Sequence, residues 1–217
     1  MKAFDHTKIL ALTKYLMENG YHEGGRSGCM VLYRIVKEGY VIGKGAKYRA
    51  SSTCVLIEDN GISVLVDPGS SPDVPRAVRG CDVIYLTHSH IDHYMNAGAI
   101  PHSSMMDRFY IFEGDQLTEH SGTIPGTRVR ILPTPGHSLD HSSLLFDADG
   151  GPVLVAGDLF WWSTSQPTPG TREDLLSLPD PFADDLKKLK ESRIRALEMA
   201  KILIPGHGRM LDIPSLL

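Results

Sequence analysis

The stretch THSHIDHYMN, Thr87 to Asn96, sets His88, His90, Asp92 and His93 within six residues, directly after the apolar run CDVIYL. A hydrophobic core has no use for four such groups at the end of a buried strand, because unpaired polar groups cost free energy when desolvated. At the His and Asp frequencies of this chain, H-x-H-x-D-H arises by chance in only roughly two chains per thousand of this length. Geometry gives it a use. His88 and His90 lie two apart on extended backbone, so both can point to one side. Asp92 and His93 start a turn or helix and can swing to a second point nearby. One segment can therefore offer two imidazoles to one cation and a carboxylate plus an imidazole to another. These groups suit zinc and similar divalent ions. The fold must then bring further ligands to this strand end.

Three other places offer them. LPTPGHS carries His137, LVAGDLF carries Asp158 and LIPGHGR carries His207. Each follows an apolar run and sits beside a glycine, which lets backbone turn sharply and approach an ion closely. Each is read as a ligand at a strand end.

The elements between them are read from periodicity. A helix is expected over 8–19, and GCMVLYRIV and YVIGKG read as strands. STCVLIEDNGISVLVDPGS reads as a hairpin turning at DNG. A short helix is expected over 73–79, then the strand CDVIYLT, with further strands at RFYIF, RVRILP, SSLLFD, PVLVAGD and ILIP. Residues 163–180 read as a long surface loop holding about one helical turn. PFADDLKKLKESRIRALEMAK reads as a helix with Leu186, Leu189, Ala196, Leu197 and Ala200 on one face. Its early acids and late bases suit the helix dipole, so KKLKESRIR is a solvated face rather than a nucleic-acid patch. Two batches of strands with helices between and after them suit an α/β architecture of two sheets with helices outside.

The 217 residues suffice for one domain with a buried core. No run approaches the roughly 18 to 20 apolar residues of a membrane span, and the N-terminus reads as no signal peptide. Cys29, Cys54 and Cys81 are scattered and odd in number, which fits a reducing cytoplasm better than a disulfide framework. Net charge is −4, but residues 1–50 hold nine Lys/Arg against four Asp/Glu, a local +5, leaving −9 on the rest. The overall sign weighs against nucleic acid as a partner; the basic portion weighs for an anionic substrate.

H-x-H-x-D-H, then P-G-H, G-D and P-G-H-G, in this order, resembles the metallo-β-lactamase superfamily. The resemblance covers about residues 50–210 of one domain spanning 1–217, with an N-terminal helix/strand extension. It implies an αββα four-layer sandwich with two metal ions at one edge of the sheets. By motif position His88, His90 and His137 would hold the first ion, Asp92, His93 and His207 the second, and Asp158 would bridge them. Asp67 in VDPGS matches the aspartate that orients the histidine segment from behind. His141, four residues past His137, lies outside the ligand pattern and reads as a supporting residue. The resemblance implies two divalent cations, zinc foremost, with iron or manganese as alternatives. It also implies a shared water with a pKa lowered to about 7, with Asp92 as proton shuttle.

The activity implied is metal-dependent hydrolysis of a small ester, thioester, lactone or amide. The alternatives are a two-metal phosphodiesterase or nuclease, and an iron-dependent persulfide dioxygenase-like enzyme. Where relatives continue with glycines after the aspartate-histidine pair, this chain has Tyr94, Met95 and Asn96. It ends soon after GHG, without the C-terminal helical domain typical of glyoxalase II, which weighs against that activity. Both tryptophans, Trp161 and Trp162, follow Asp158 and are candidates for an apolar pocket wall with the 163–180 loop as lid. The sequence sets no oligomeric state.

Overall fold

A computed structural model describes residues 30–44, 47–107, 109–114, 116–119 and 122–213. The helix expected over 8–19 lies outside the described residues, as do Cys29, His6, His22 and His120.

The DNG hairpin organises the first sheet. β-Branched runs form β4 (Cys54–Asp59) and β5 (Ile62–Val66), paired antiparallel from Val55↔Val66 to Asp59↔Ile62. Asn60 and Gly61 turn with φ of 52° and 80°, the backbone a tight hairpin between right-twisted strands needs. The chain then crosses over through α1 (Val74–Ala77) to β6 (Cys81–Leu86), which runs parallel to β5. With β1 (Leu32–Lys37), β7 (His102–Asp107), β8 (Tyr110–Glu113) and β9 (Gln116–Glu119), these make a seven-stranded sheet in the order β1-β4-β5-β6-β7-β8-β9.

The second sheet has the order β10 (Arg130–Pro133), β11 (Ser142–Ala148), β12 (Gly151–Trp161), β13 (Ile202–His207), β14 (Leu211–Asp212). A separate hairpin pairs β2 (Tyr40–Lys44) with β3 (Lys47–Ser51). The helices are α2 (Ile91–Tyr94), α3 (Arg172–Ser177) and α4 (Leu186–Met199), with a 3₁₀ turn at Ala97–Ala99.

Alternation along the strands sorts the core into three layers, because successive side chains leave a strand on opposite faces. Val55, Ile57, Val64, Val66 and Tyr85 meet Leu144, Phe146, Val153, Val155 and Ile204 between the sheets. Leu56, Leu65 and Ile84 face the other way, under Val74, Val78, Ala97 and Ile100. Leu145, Leu154 and Leu203 pack beneath Leu175 of α3 and Leu189, Ala196 and Leu197 of α4. Helix, sheet, sheet, helix is the resulting sandwich. No helix among the described residues is long and apolar enough to cross a membrane.

Three local readings change. The helix starts at Leu186, capped by Asp185, whose side chain accepts from the backbone N–H of Lys187 and Lys188. Leu186 is therefore in the first turn and stays exposed. The 163–180 segment contains a genuine helix, α3, closed by a capping box between Thr171 and Asp174. Asp158 does not end a strand, because β12 continues to Trp161 with breaks in register around Gly157.

Candidate metal centre

The strand ends of both sheets meet at one edge. β6 ends at Leu86 and delivers Thr87 and His88; His90 precedes α2, and Asp92 and His93 lie in its single turn. β12 brings Asp158, β13 brings His207, and the turn between β10 and β11 brings His137. Gly157 makes the approach feasible. Its φ is +53°, and a Cβ there would lie 2.7 Å from Thr87 Oγ1 and 2.8 Å from His141 Nε2.

Two groups result. His88, His90, His137 and Asp158 each offer a ligand atom within 4.8 Å of the others, and Asp92, His93 and His207 do likewise. Asp158 stands between them. Its Oδ2 lies 3.5 Å from His137 Nε2 and 3.9 Å from His88 Nε2. Its Oδ1 lies 3.3 Å from His93 Nε2 and 3.4 Å from His207 Nε2. Asp92 Oδ2 is 3.3 Å from His207 Nε2, and His90 Nδ1 is 3.1 Å from His137 Nε2.

The far nitrogens of four rings are fixed from behind. Asp67 accepts from the Thr87 backbone N–H and hydroxyl at 2.9 and 2.7 Å. The threonine proton is thereby used, so His88 Nδ1–H donates to Thr87 Oγ1, at 3.1 Å. Asp67 also accepts from His93 Nδ1 at 2.9 Å, so one carboxylate stands behind a histidine of each group. His137 Nδ1 donates to Asp180 Oδ2 at 2.8 Å, and His207 Nδ1 to the Ser51 carbonyl at 2.9 Å. Such partners turn the other ring nitrogen into a bare lone pair. Asp180 and Ser51 escaped the sequence reading: Asp180 is 43 residues from His137, and a backbone carbonyl has no signature in residue type.

The remaining candidates fall around this core. His141 is buried, its Nδ1 paired with Thr134 Oγ1 at 2.9 Å and its ring centroid 5.1 Å from that of His88. Trp161 is half-buried, its ring centroid 6.4 Å from His207 and 5.9 Å from Phe182. Trp162 is buried in the core under α3 and α4. It borders a separate cavity of about 370 Å³ lined by Gln166, Pro167, Thr168 and Leu178.

Electrostatics divide the two groups. Burial holds His88 and His90 below the usual histidine range, and pushes His141 down to about 3. Burial opposes charge on His93 and His207 too, yet carboxylates outweigh it. Asp158 and Asp67 hold His93 well above the usual value, and Asp158 and Asp92 raise His207 to about 9. Burial likewise works against ionised Asp158, but His207 and His93 keep its carboxyl well below the usual range.

A family model described as the metallo-β-lactamase superfamily matches residues 48–110, the stretch holding Asp67 and the histidine cluster. The metallo-β-lactamase domain-containing protein 1 of Xenopus laevis is 27% identical over 192 residues, which cover 80% of this chain and 78% of that protein. A solved metallo-β-lactamase structure from Thermotoga maritima superposes with a TM-score of 0.57 at 16% identity, covering 84% of this chain and 99% of that one. Family model, curated relatives and solved structures all indicate the metallo-β-lactamase superfamily. Hydroxyacylglutathione hydrolase of Xylella fastidiosa is 32% identical over 139 residues, 56% of this chain, but the match spans only 50% of that protein's length. The members of that superfamily are mostly metal-dependent hydrolases.

Proposed function

We propose that the chain is a metal-dependent hydrolase of a small ester, thioester, lactone or amide, using two divalent ions, zinc foremost. One observation carries this reading. His88 Nε2, His93 Nε2 and Asp158 Oδ1 are buried in the same spot and have no hydrogen-bond partner. Buried polar atoms are seldom left so, and bound cations would face all three as acceptors. The donor set, neutral imidazole and carboxylate, fits zinc.

His88, His90 and His137 would hold the first ion, Asp92, His93 and His207 the second, with Asp158 shared. When bound, the pair supplies a water made nucleophilic at neutral pH and positive charge for a developing oxyanion. The chain's own residues do the rest. Asp92 is the least buried carboxylate of the set, its side chain 23% exposed. Burial opposes its ionisation, but His207 and His93 keep its carboxyl below the usual range. It is thus ionised at neutral pH and able to take a proton at Oδ2. Asp67 orients both groups through Thr87 and His93, and His141 fills the space behind His88. Trp161, with Phe182 and the exposed Leu139 two residues past His137, supplies an apolar wall for the organic part of a substrate. The Xylella relative is named for hydrolysing hydroxyacylglutathione, which supports a thioester within this class.

The test is metal analysis of protein purified without added metal, then assays of that sample and its chelated form on a thioester, a lactone, an ester, an amide and a phosphodiester. Zinc-dependent turnover of one of the first four is expected. Equal activity after chelation, or turnover of a phosphodiester alone, would overturn the reading.

A further inference from the structure

The basic run KKLKESRIR does not simply face solvent. Arg193 of α4 is 2% exposed. Its Nε donates to the carbonyl of Leu159, the neighbour of Asp158, at 2.9 Å. Its Nη1 donates to the carbonyl of Leu178, two residues before Asp180, at 2.6 Å. Its Nη2 is buried without a hydrogen-bond partner, and the guanidinium lies 5.7 Å from the centre of the Phe160 ring. The same helix fastens the turn that carries His137. Ser192 Oγ donates to the Pro135 carbonyl at 2.8 Å, and Arg195 donates to that of Pro133. Gly136, at φ +142°, sits so close that a Cβ would lie 2.3 Å from the Leu189 backbone. One helix thus grips three separate stretches, those bearing His137, Asp158 and Asp180.

Asp180 closes the arrangement. Its Oδ2 accepts from His137 Nδ1 and its Oδ1 from the Phe182 backbone N–H, at 2.8 and 3.1 Å. The chain beyond it returns to the same turn: Asp184 N–H donates to the His137 carbonyl and Asp185 N–H to that of Gly136, at 3.1 and 3.0 Å. The Asp180 charge acts favourably on the Arg193 guanidinium against the cost of its burial. A carboxylate is a strong acceptor for an imidazole N–H, and the Leu178 carbonyl held by Arg193 anchors the backbone two residues before it. Among the described residues nothing equivalent reaches the second group, where His93 rests on Asp67 and His207 on the Ser51 carbonyl.

We propose that Arg193 and Asp180 are a positioning pair for the first ion, aligning His137 through the end of the 163–180 loop while leaving His93 and His207 untouched. This rests on reading the site as a metal centre.

The test is zinc titration against a chromophoric chelator for metal-free wild type, R193K, D180N and the double variant. D180N should weaken one of the two ions by roughly tenfold or more and change the other by less than about twofold, and R193K should weaken that same ion more than the other. The double variant should lose less than the product of the two single losses, because both residues act on His137. Equal weakening of both ions, no weakening, or losses that multiply would overturn the proposal. A wild-type measurement covers variants that fail to fold. Amide hydrogen exchange over residues 178–185 should slow when zinc is added, and unchanged exchange in zinc-loaded protein would overturn the pairing. A wild-type chain that takes up no zinc would overturn the metal-centre reading and this proposal together; a chain that binds two ions with equal losses would overturn this proposal alone.

Discussion

Loading of the two groups should differ in its proton count. The metal-free site holds His207 with a raised pKa of about 9 and His93 well above the usual range, while burial keeps His88 and His90 unprotonated at neutral pH. A metal ion must displace the protons it finds. At pH 6.5 the His207 proton alone lies about 2.5 units below its pKa, which costs about 3.4 kcal/mol, or roughly 300-fold in apparent affinity. An ion already at the first group also draws on Asp158, the main carboxylate behind that shift, so this is an upper bound. His93 adds in the same direction. Calorimetric titration of zinc into metal-free protein at pH 6.5, in two buffers of different ionisation enthalpy, counts protons per ion. At this pH a zinc-bound water, with a pKa of about 7, contributes little. The tight ion should release few protons and the weak ion at least one, and the weak ion's affinity should climb with pH up to about 9. Proton release with the tight ion, or pH-independent binding of both, would refute the argument.

The same raised pKa sets the pH response of the metal-free fold. The His207 contribution is fully present below the ordinary histidine value of 6.5 and is lost as pH rises through about 9, so Tm of chelated protein should fall across that window; a flat Tm would refute this. G157A should lose metal and about 1–3 kcal/mol, since its Cβ would strike Thr87 and His141 at a φ of +53°, read by metal content and urea unfolding. R128A should cost about 1–3 kcal/mol with both ions retained, because Asp59 is buried and accepts from Arg128 Nε at 3.1 Å. W162A should cost about 3–5 kcal/mol as a core cavity, whereas W161A should raise KM with little change in Tm.

What the sequence disclosed follows from how each feature is encoded. The hairpin over 54–66 is written locally, in branched residues on both arms and in Asn60-Gly61, a pair that readily adopts the positive φ of the turn. The two histidine groups are legible because ligand chemistry is a matter of residue type, and few types besides His and Asp serve. Strand β7 was missed for the converse reason. HSSMMD has no strand-forming run, and it is extended because it lies parallel to β6, with Cys81 opposite His102 and Leu86 opposite Asp107. Trp161 and Trp162 read alike in sequence, yet strand alternation sends one to the edge of the site and the other into the core.

Asp180 shows why supporting residues are harder to read than ligand candidates. It lies in a proline-rich stretch where an aspartate looks like any loop residue, and its neighbour Phe182 is largely exposed. Its place beside His137 is decided by α4, which clamps the Leu159 and Leu178 carbonyls with one guanidinium and leaves the 180–185 turn no course except around Gly136 and His137. A ligand can be named from chemistry alone, because its side chain does the work. A support is defined by contact, and contact here depends on a helix that follows it in the chain. The supports are therefore where relatives sharing all seven ligand-type residues can differ, and exchanging them should alter how tightly each ion is held without altering which residues hold it.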